Sequence, residues 1–356
     1  MSSSKPPDRF SDDAPKTNPW QHDALGYRGF ADRLAAALVG IQAPNGYVVG
    51  LHGPWGSGKS TVLNFVESFM RKRREEEESA YVATALIRFE PWIVSGYQDL
   101  AAAFFKQLST RIADGIAHRE AKKTRALKTL RLGVDPVIDA AAKLGATMDQ
   151  TGGMLSRGAA GAAKKGVTGA IDRWLAEPSL QNTYEQLSER LAAAGGRYVV
   201  MIDDIDRLTA EEIRSIMQMV KTVGRLPNVI YLLAYDREIV WSALRDNDAT
   251  DESTRRPEFA EKIIQHEVEL PVPSRHSLLA MLDAEIPFLP SPPQDSTRWY
   301  EMVQAGIYRW IKHPRDVARL ANALRFSWPA LAGEIDAQDL LCMEGLRLFE
   351  IGRAHV

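Results

Sequence analysis

Gly53-Pro54-Trp55-Gly56-Ser57-Gly58-Lys59-Ser60 decides how the rest of the chain is read. It follows the short apolar run Tyr47-Val48-Val49-Gly50-Leu51. It precedes Val62, Phe65, Val66 and Phe69, which recur at i, i+3, i+4 and i+7. A buried strand therefore enters the glycine-rich loop, and an amphipathic helix starting at Lys59 leaves it. Glycines at these spacings let the backbone curl until successive N–H groups face one point, where the helix start adds partial positive charge. This is a cradle for a phosphate chain, the Walker A pattern. Contacts to the nucleotide are expected from Gly53, Pro54, Trp55, Gly56, Ser57, Gly58, Lys59, Ser60 and Thr61. Lys59 reaches the β- and γ-phosphates, and Ser60 holds Mg2+. The alternative is a glycine-rich turn with a chance lysine.

Outward from this loop, strands alternate with helices. Tyr81–Phe89, Tyr198–Ile202, Val229–Ala234 and His266–Leu270 read as further strands. Helices are expected over Phe30–Ile41, Gln98–Ile116 and around Tyr184–Leu191, with another built on Ile213, Ile216, Met217 and Val220. Apolar strands separated by helices imply an α/β fold whose parallel sheet is covered on both faces. Beyond Pro273 only helical patterns remain, including Val317, Leu320, Ala321 and Leu324, so a small all-helical lid domain is expected to follow the sheet. The expected organisation is a disordered tail over 1–19, a core over 20–273 with an insertion at about 117–180, and a helical domain over 274–349.

A second chemical motif is Val199-Val200-Met201-Ile202-Asp203-Asp204-Ile205-Asp206-Arg207. An apolar strand ending in a carboxylate is how phosphate-loop enzymes supply the second Mg2+ partner, which acts through water. Asp203 is assigned to the metal, and Asp204 to orienting or deprotonating the attacking water. The alternative is that these acids merely cap a strand and start a helix. No Asn-Lys-x-Asp guanine-reading motif occurs in the chain, so adenine is the expected base and Mg·ATP the expected ligand. A third motif is His313-Pro314-Arg315-Asp316. Proline suits the first helical position, which puts the Arg315 cation where the helix dipole disfavours it. Arg315 is therefore a candidate catalytic residue that reaches a phosphate from the lid; an ion pair with Asp316 is the alternative.

The chain has 356 residues, 45% hydrophobic and 25% charged, with a formal net charge of −2, so no global field draws it to nucleic acid or anionic lipid. Local contacts of that kind, with a membrane surface or nucleic acid, would come from the basic run Arg119 to Arg131, whose alternative is a solvated helix face. Arg71-Lys72-Arg73-Arg74 followed by Glu75-Glu76-Glu77-Glu78 reads as a self-paired, exposed helix end. The lone cysteine, Cys342, excludes an internal disulfide framework and suits a reducing cytoplasm. The first residues contain no apolar run of a secretory leader and are expected to be a disordered lead-in. At the other end, Glu350-Ile351-Gly352-Arg353-Ala354-His355-Val356 matches what a common sequencing adapter encodes in frame. The expectation is that 350–356 is non-native and that the natural chain continues past about Phe349.

Taken together these residues resemble the KAP family of P-loop NTPases. Besides the phosphate loop, Asp23-Ala24-Leu25-Gly26-Tyr27-Arg28 looks like that family's adenine-side start, which makes Tyr27 a nucleotide contact. Phe89-Glu90-Pro91-Trp92 resembles its Phe-x-x-Trp strand end, and Asp203-Asp204-Ile205-Asp206-Arg207-Leu208 its acidic signature. Glu261-Lys262-Ile263-Ile264-Gln265 with Pro271 and Pro273, then Pro314-Arg315-Asp316-Val317 with Asn322-Ala323-Leu324, resemble its later motifs. The resemblance implies a P-loop three-layer sandwich of the additional-strand, catalytic-acid class. It also implies a slow Mg2+-dependent ATPase acting as a conformational switch, with links to membrane-associated signalling and to bacterial defence against phage. Partners implied are ATP together with a second copy of the chain or another protein. Family members often carry transmembrane helices between the two nucleotide motifs. The insertion here has only short uncharged runs, such as Gln150 to Ser156, far below the span of a bilayer, so a disordered linker or a close-packed helical hairpin stands in their place. Competing classes are a non-hydrolysing ATP-binding scaffold, a small-molecule kinase and an ATPase stimulated by nucleic acid.

Overall fold

A computed structural model describes residues 10, 14–93, 107, 111, 185, 188–189, 191–193, 196–245, 257–290, 297–302 and 306–351. Most of the expected helix Gln98–Ile116, the basic run Arg119–Arg131, the insertion at 117–180 and residues 352–356 lie outside the described residues. The chain divides into two compact units, one comprising Asp32–Pro54 and Val66–Leu270, the other Met1–Ala31, Trp55–Phe65 and Pro271–Val356.

The first unit is built on a sheet. After helix α1 (Arg28–Gly40) come strand β1 (Tyr47–His52), helix α2 (Lys59–Glu75), a short helix α3 (Ser79–Val82) and strand β2 (Thr84–Phe89). The chain continues with β3 (Arg197–Ile202), α4 (Ala210–Val223), β4 (Val229–Tyr235), α5 (Arg237–Leu244) and β5 (His266–Glu269). The five strands pair in the order β2-β3-β4-β1-β5, and every pairing is parallel. β4 lies between β1 and β3, which is the additional strand of this P-loop class. All of β4 is buried, which its apolar sequence Val-Ile-Tyr-Leu-Leu-Ala-Tyr requires, whereas β5 at the sheet edge carries His266, Glu267 and Glu269. The Thr209 side chain accepts from the Glu212 N–H at 3.4 Å and the Glu212 carboxylate accepts from the Thr209 N–H at 2.9 Å, a capping box that sets where α4 begins. Gln265 accepts from the Val48 N–H at 2.6 Å, tying the end of the Glu261-to-Gln265 motif to the start of β1.

The second strand is shorter than its sequence suggests. Tyr81 lies on α3, not in β2, because its hydroxyl is bonded to the Arg73 guanidinium and its N–H to the Glu78 carbonyl, which closes a helical turn. The charged run before it is also not self-paired throughout. Lys72 does meet Glu76 at 3.7 Å, but Arg73 reaches Asp32 of α1 at 2.6 Å and Arg74 donates to the Thr84 carbonyl. These two arginines join the end of α2 to α1 and to β2.

The second unit has a helical core. Helices α6 (Arg275–Glu285), α7 (Pro314–Leu331) and α8 (Ala337–Phe349) bury Leu278, Leu282, Val317, Leu320, Leu340 and Phe349 together with Trp310. Pro314 occupies the first position of α7, and Asp316 caps the helix by accepting from the Lys312 and His313 N–H groups, each at 3.0 Å. Trp310 donates through Nε1 to Glu350 at 2.9 Å. Residues 14–19, expected as part of a disordered tail, instead sit on the start of α2. There the Lys16 N–H donates to Thr61 Oγ1 at 3.2 Å and Asn64 donates to the Lys16 carbonyl at 3.1 Å. These two bonds tie the Lys16 backbone to one face of α2. Among the described residues no helix is long and apolar enough to cross a membrane.

Arg73→Ala is expected to lower unfolding free energy by about 1–3 kcal/mol, the scale of hydrogen bonds made by a charged group. Lys72→Ala, which removes an exposed pair, should stay within about 0.5 kcal/mol of wild type. Urea denaturation of the two variants side by side measures the contrast; equal effects would return Arg73 to the surface.

Candidate functional site

The phosphate-loop residues lie where β1 ends and α2 begins. Gly56 has φ +80° and Gly58 φ +100°, conformations in which a side chain would be strained. Space also excludes one: a Cβ on Gly58 would stand 3.0 Å from the Tyr27 ring, and one on Gly56 would stand 2.9 Å from Arg315 Cβ. Ser57 is buried, and its Oγ has no hydrogen-bond partner. Lys59 is 7% exposed at the first position of α2, Ser60 and Thr61 are half-buried on the same turn, and Trp55 is 54% exposed. Gly53 donates its N–H to the Tyr235 carbonyl of β4 at 3.3 Å, which extends the pairing of β1 one residue into the loop.

Two residues grip this loop. Tyr27, 1% exposed, donates its hydroxyl to the Ser57 carbonyl at 2.8 Å, and burial raises its pKa. The structure thus places Tyr27 beneath the loop, with its hydroxyl on the loop backbone. From the other motif, Arg315 lays its guanidinium 3.9 Å from the Trp55 ring centroid while its aliphatic stem packs on Gly56. The Asp316 carboxylate beside it is engaged as the helix cap. These contacts are why Trp55–Phe65 belongs with the helical unit, where the sequence suggested one sheet domain through residue 273.

At the end of β3, in the sheet unit, Asp203 is 1% exposed. Its Oδ1 accepts from the Asp204 N–H at 2.9 Å, and its Oδ2 accepts from Arg88 of β2 at 3.0 Å. Asp204 adopts the left-handed conformation, φ 58° and ψ 33°, ahead of a 3-10 turn over Ile205–Arg207. The left-handed conformation is uncommon for a residue with a side chain. Burial first, and then the Asp203 charge, push Asp204 up to about 6, while Arg207, 2.9 Å away, pulls the other way. Arg207 in turn lies over the Trp92 ring at 5.2 Å. Because β1 and β3 are parallel with β4 between them, the loop entrance and the two aspartates leave the sheet from the same edge.

Two groups that the sequence reading passed over lie at these strand ends. Arg88 is one; an arginine inside an otherwise apolar strand was the available signal. The other is His52, the last residue of β1, 4% exposed and bonded to the Arg237 guanidinium. Burial, then Arg237, lower its pKa, so it stays neutral. Its signal was weaker, a single histidine between an apolar strand and the loop.

A family model describing the KAP family P-loop domain matches residues 27–328. The chain belongs to the KAP family. Among curated proteins, the phage T7 exclusion protein of Escherichia coli (strain K12) is 22% identical over 352 residues. That match covers 92% of this KAP chain and 44% of the relative, so the chain spans less than half the relative's length. Among solved structures, the Aeropyrum pernix ORC2 protein in ADPNP-ADP complexes superposes with a TM-score of 0.43 at 12% identity, covering 92% of this chain and 70% of that one. The Aeropyrum pernix ORC1 protein in complex with DNA gives 0.39 at 14% identity, covering 91% and 65%.

Tyr27→Phe keeps the ring against Gly58 and removes only the bond to the Ser57 carbonyl. Loss of one such bond, about 1 kcal/mol, should weaken nucleotide binding roughly fivefold. Titration calorimetry with ADP measures it; unaltered affinity would show that the loop holds its shape without the hydroxyl.

Proposed function

We propose that this KAP domain binds Mg·ATP and hydrolyses it slowly as a conformational switch. The observation that carries the reading is the loop itself. Two glycines at positive φ, a buried Ser57 Oγ with no partner and a buried lysine at a helix start form a cradle with donors and no bulk. These groups fit a polyphosphate, because a helix start, a hydroxyl and an ammonium can all donate to an anion.

Lys59 supplies the point charge for the β- and γ-phosphates, and the backbone of Gly53 to Thr61 wraps them. Ser60 and the Asp203 carboxylate supply the hard oxygen ligands that suit Mg2+, Asp203 through water. When bound, Mg2+ neutralises charge that develops on the phosphates. Asp204 orients the attacking water and accepts its proton; a carboxylate raised toward 6 accepts one more readily than an ordinary aspartate does. Tyr27 supports the loop from the adenine side. Arg315, stacked on Trp55 and packed on Gly56, carries the state of the loop into α7, which makes the helical unit the responding part. The role in phage exclusion borne in the name of the Escherichia coli relative supports a defensive use of this switch.

Lys59→Ala should abolish tight ATP binding, because the loop loses its point charge. Asp204→Asn should leave binding nearly intact and lower turnover at least about a hundredfold. Calorimetry with Mg·ATP and a phosphate-release assay check both; ATP affinity unchanged in Lys59→Ala would remove the site assignment. If the switch serves defence, expression of the chain in a phage-sensitive host should lower plaque formation, and Lys59→Ala should restore it. Equal protection by that variant would separate defence from nucleotide.

A further inference from the structure

Arg88 is the one charged side chain in β2, and it serves three carboxylates. Its guanidinium lies 3.0 Å from Asp203 Oδ2, 3.0 Å from Glu90 Oε1 and 3.9 Å from Glu67 Oε2. The three acids differ in their need of it. Glu67 also pairs with Arg71 at 2.9 Å, and Glu90 is half-buried and reaches water. Asp203 is 1% exposed, and among the described residues Arg88 is its counter-ion. Burying a carboxylate without such a partner is costly. Facing a second cation at Asp203, the Arg88 side chain can turn toward its other two acids.

Building on the reading of Asp203 as the water-mediated Mg2+ partner, we propose that Arg88 is a positioning residue that stands in for the metal. It holds the Asp203 carboxylate through Oδ2, while Oδ1 accepts from the Asp204 N–H, so a metal-bound water would compete with Arg88 for that carboxylate. Arrival of a dication makes the Arg88 charge there unfavourable, and the side chain shifts its bonds to Glu90 and Glu67, which already flank it. Arg88 thereby sets the Mg2+ concentration at which the site loads. It also couples loading to α2 through Glu67 and to the Glu90-Pro91-Trp92 strand end. The Trp92 ring that follows carries Arg207, the partner of Asp204, so the two aspartates have linked counter-ions.

The test follows melting temperature and ADP affinity across a Mg2+ titration, with no turnover required. Arg88→Gln, which keeps a donor and removes the competing charge, should melt lower than wild type without metal. It should also shift the Mg2+ midpoint for ADP binding about tenfold lower, as expected for removing one charge-assisted bond from Oδ2. Arg88→Lys, which retains the charge, should bring the midpoint back toward wild type. An unchanged or higher midpoint in folded Arg88→Gln overturns the proposal. If that variant does not fold, Glu67→Gln with Glu90→Gln carries the test. Loss of the alternative partners should fix Arg88 on Asp203 and raise the midpoint about tenfold, and no rise overturns the idea. Asp203→Asn separates the two readings. Mg2+ dependence lost there but unaltered in Arg88→Gln removes the Arg88 role alone. Mg2+ dependence of wild-type strength in Asp203→Asn removes the metal assignment and the proposal with it.

Discussion

The Tyr27 hydroxyl on the Ser57 carbonyl, with the Tyr27 ring under Gly58, is the contact on which the phosphate loop depends. A loop that turns its N–H groups inward must turn carbonyls outward, and a buried outward carbonyl needs a donor. Tyr27 provides it. The same ring takes the space a side chain at residue 58 would need, so the support and the glycine requirement are two sides of one contact. Gly56 stands in the same relation to Arg315. The loop is held open to an anion by groups that leave no room for anything but backbone.

The sheet unit solves a different problem. Parallel strands bring acids to one edge, where Asp203 and Asp204 are adjacent and largely out of water. Each has its own arginine, Arg88 for the first and Arg207 for the second. The two cations keep like charges from forcing the strand end apart. Asp204 shows the residual stress in its left-handed backbone and in a carboxyl raised toward neutrality.

Much of this was legible beforehand for a simple reason. Each apolar strand had a polar punctuation mark, and Gly-x-x-x-x-Gly-Lys-Ser and Asp-Asp are marks with a mechanism attached. The strand order was legible only through the family resemblance, because nothing in Val229 to Tyr235 says that it pairs with β1 on one side and β3 on the other. Tyr81 was the first residue of the strand expected over Tyr81–Phe89. Its hydroxyl found Arg73, and a helical turn won.

The sequence by itself determined the phosphate loop, the acidic strand end, the parallel α/β class and the helical region after Pro273, since all of these follow from spacing along the chain. Tertiary structure alone decided which charges meet. Arg73 met Asp32 at 2.6 Å and its own run only through Glu78 at 4.0 Å, Arg315 stacked on Trp55 while Asp316 capped its helix, and Arg88 took Asp203 across 115 positions of sequence. A long cation can reach several partners, and local spacing ranks only the near ones. The choice is made by burial: the acid or ring that water cannot reach gains most from the contact, and burial belongs to the fold.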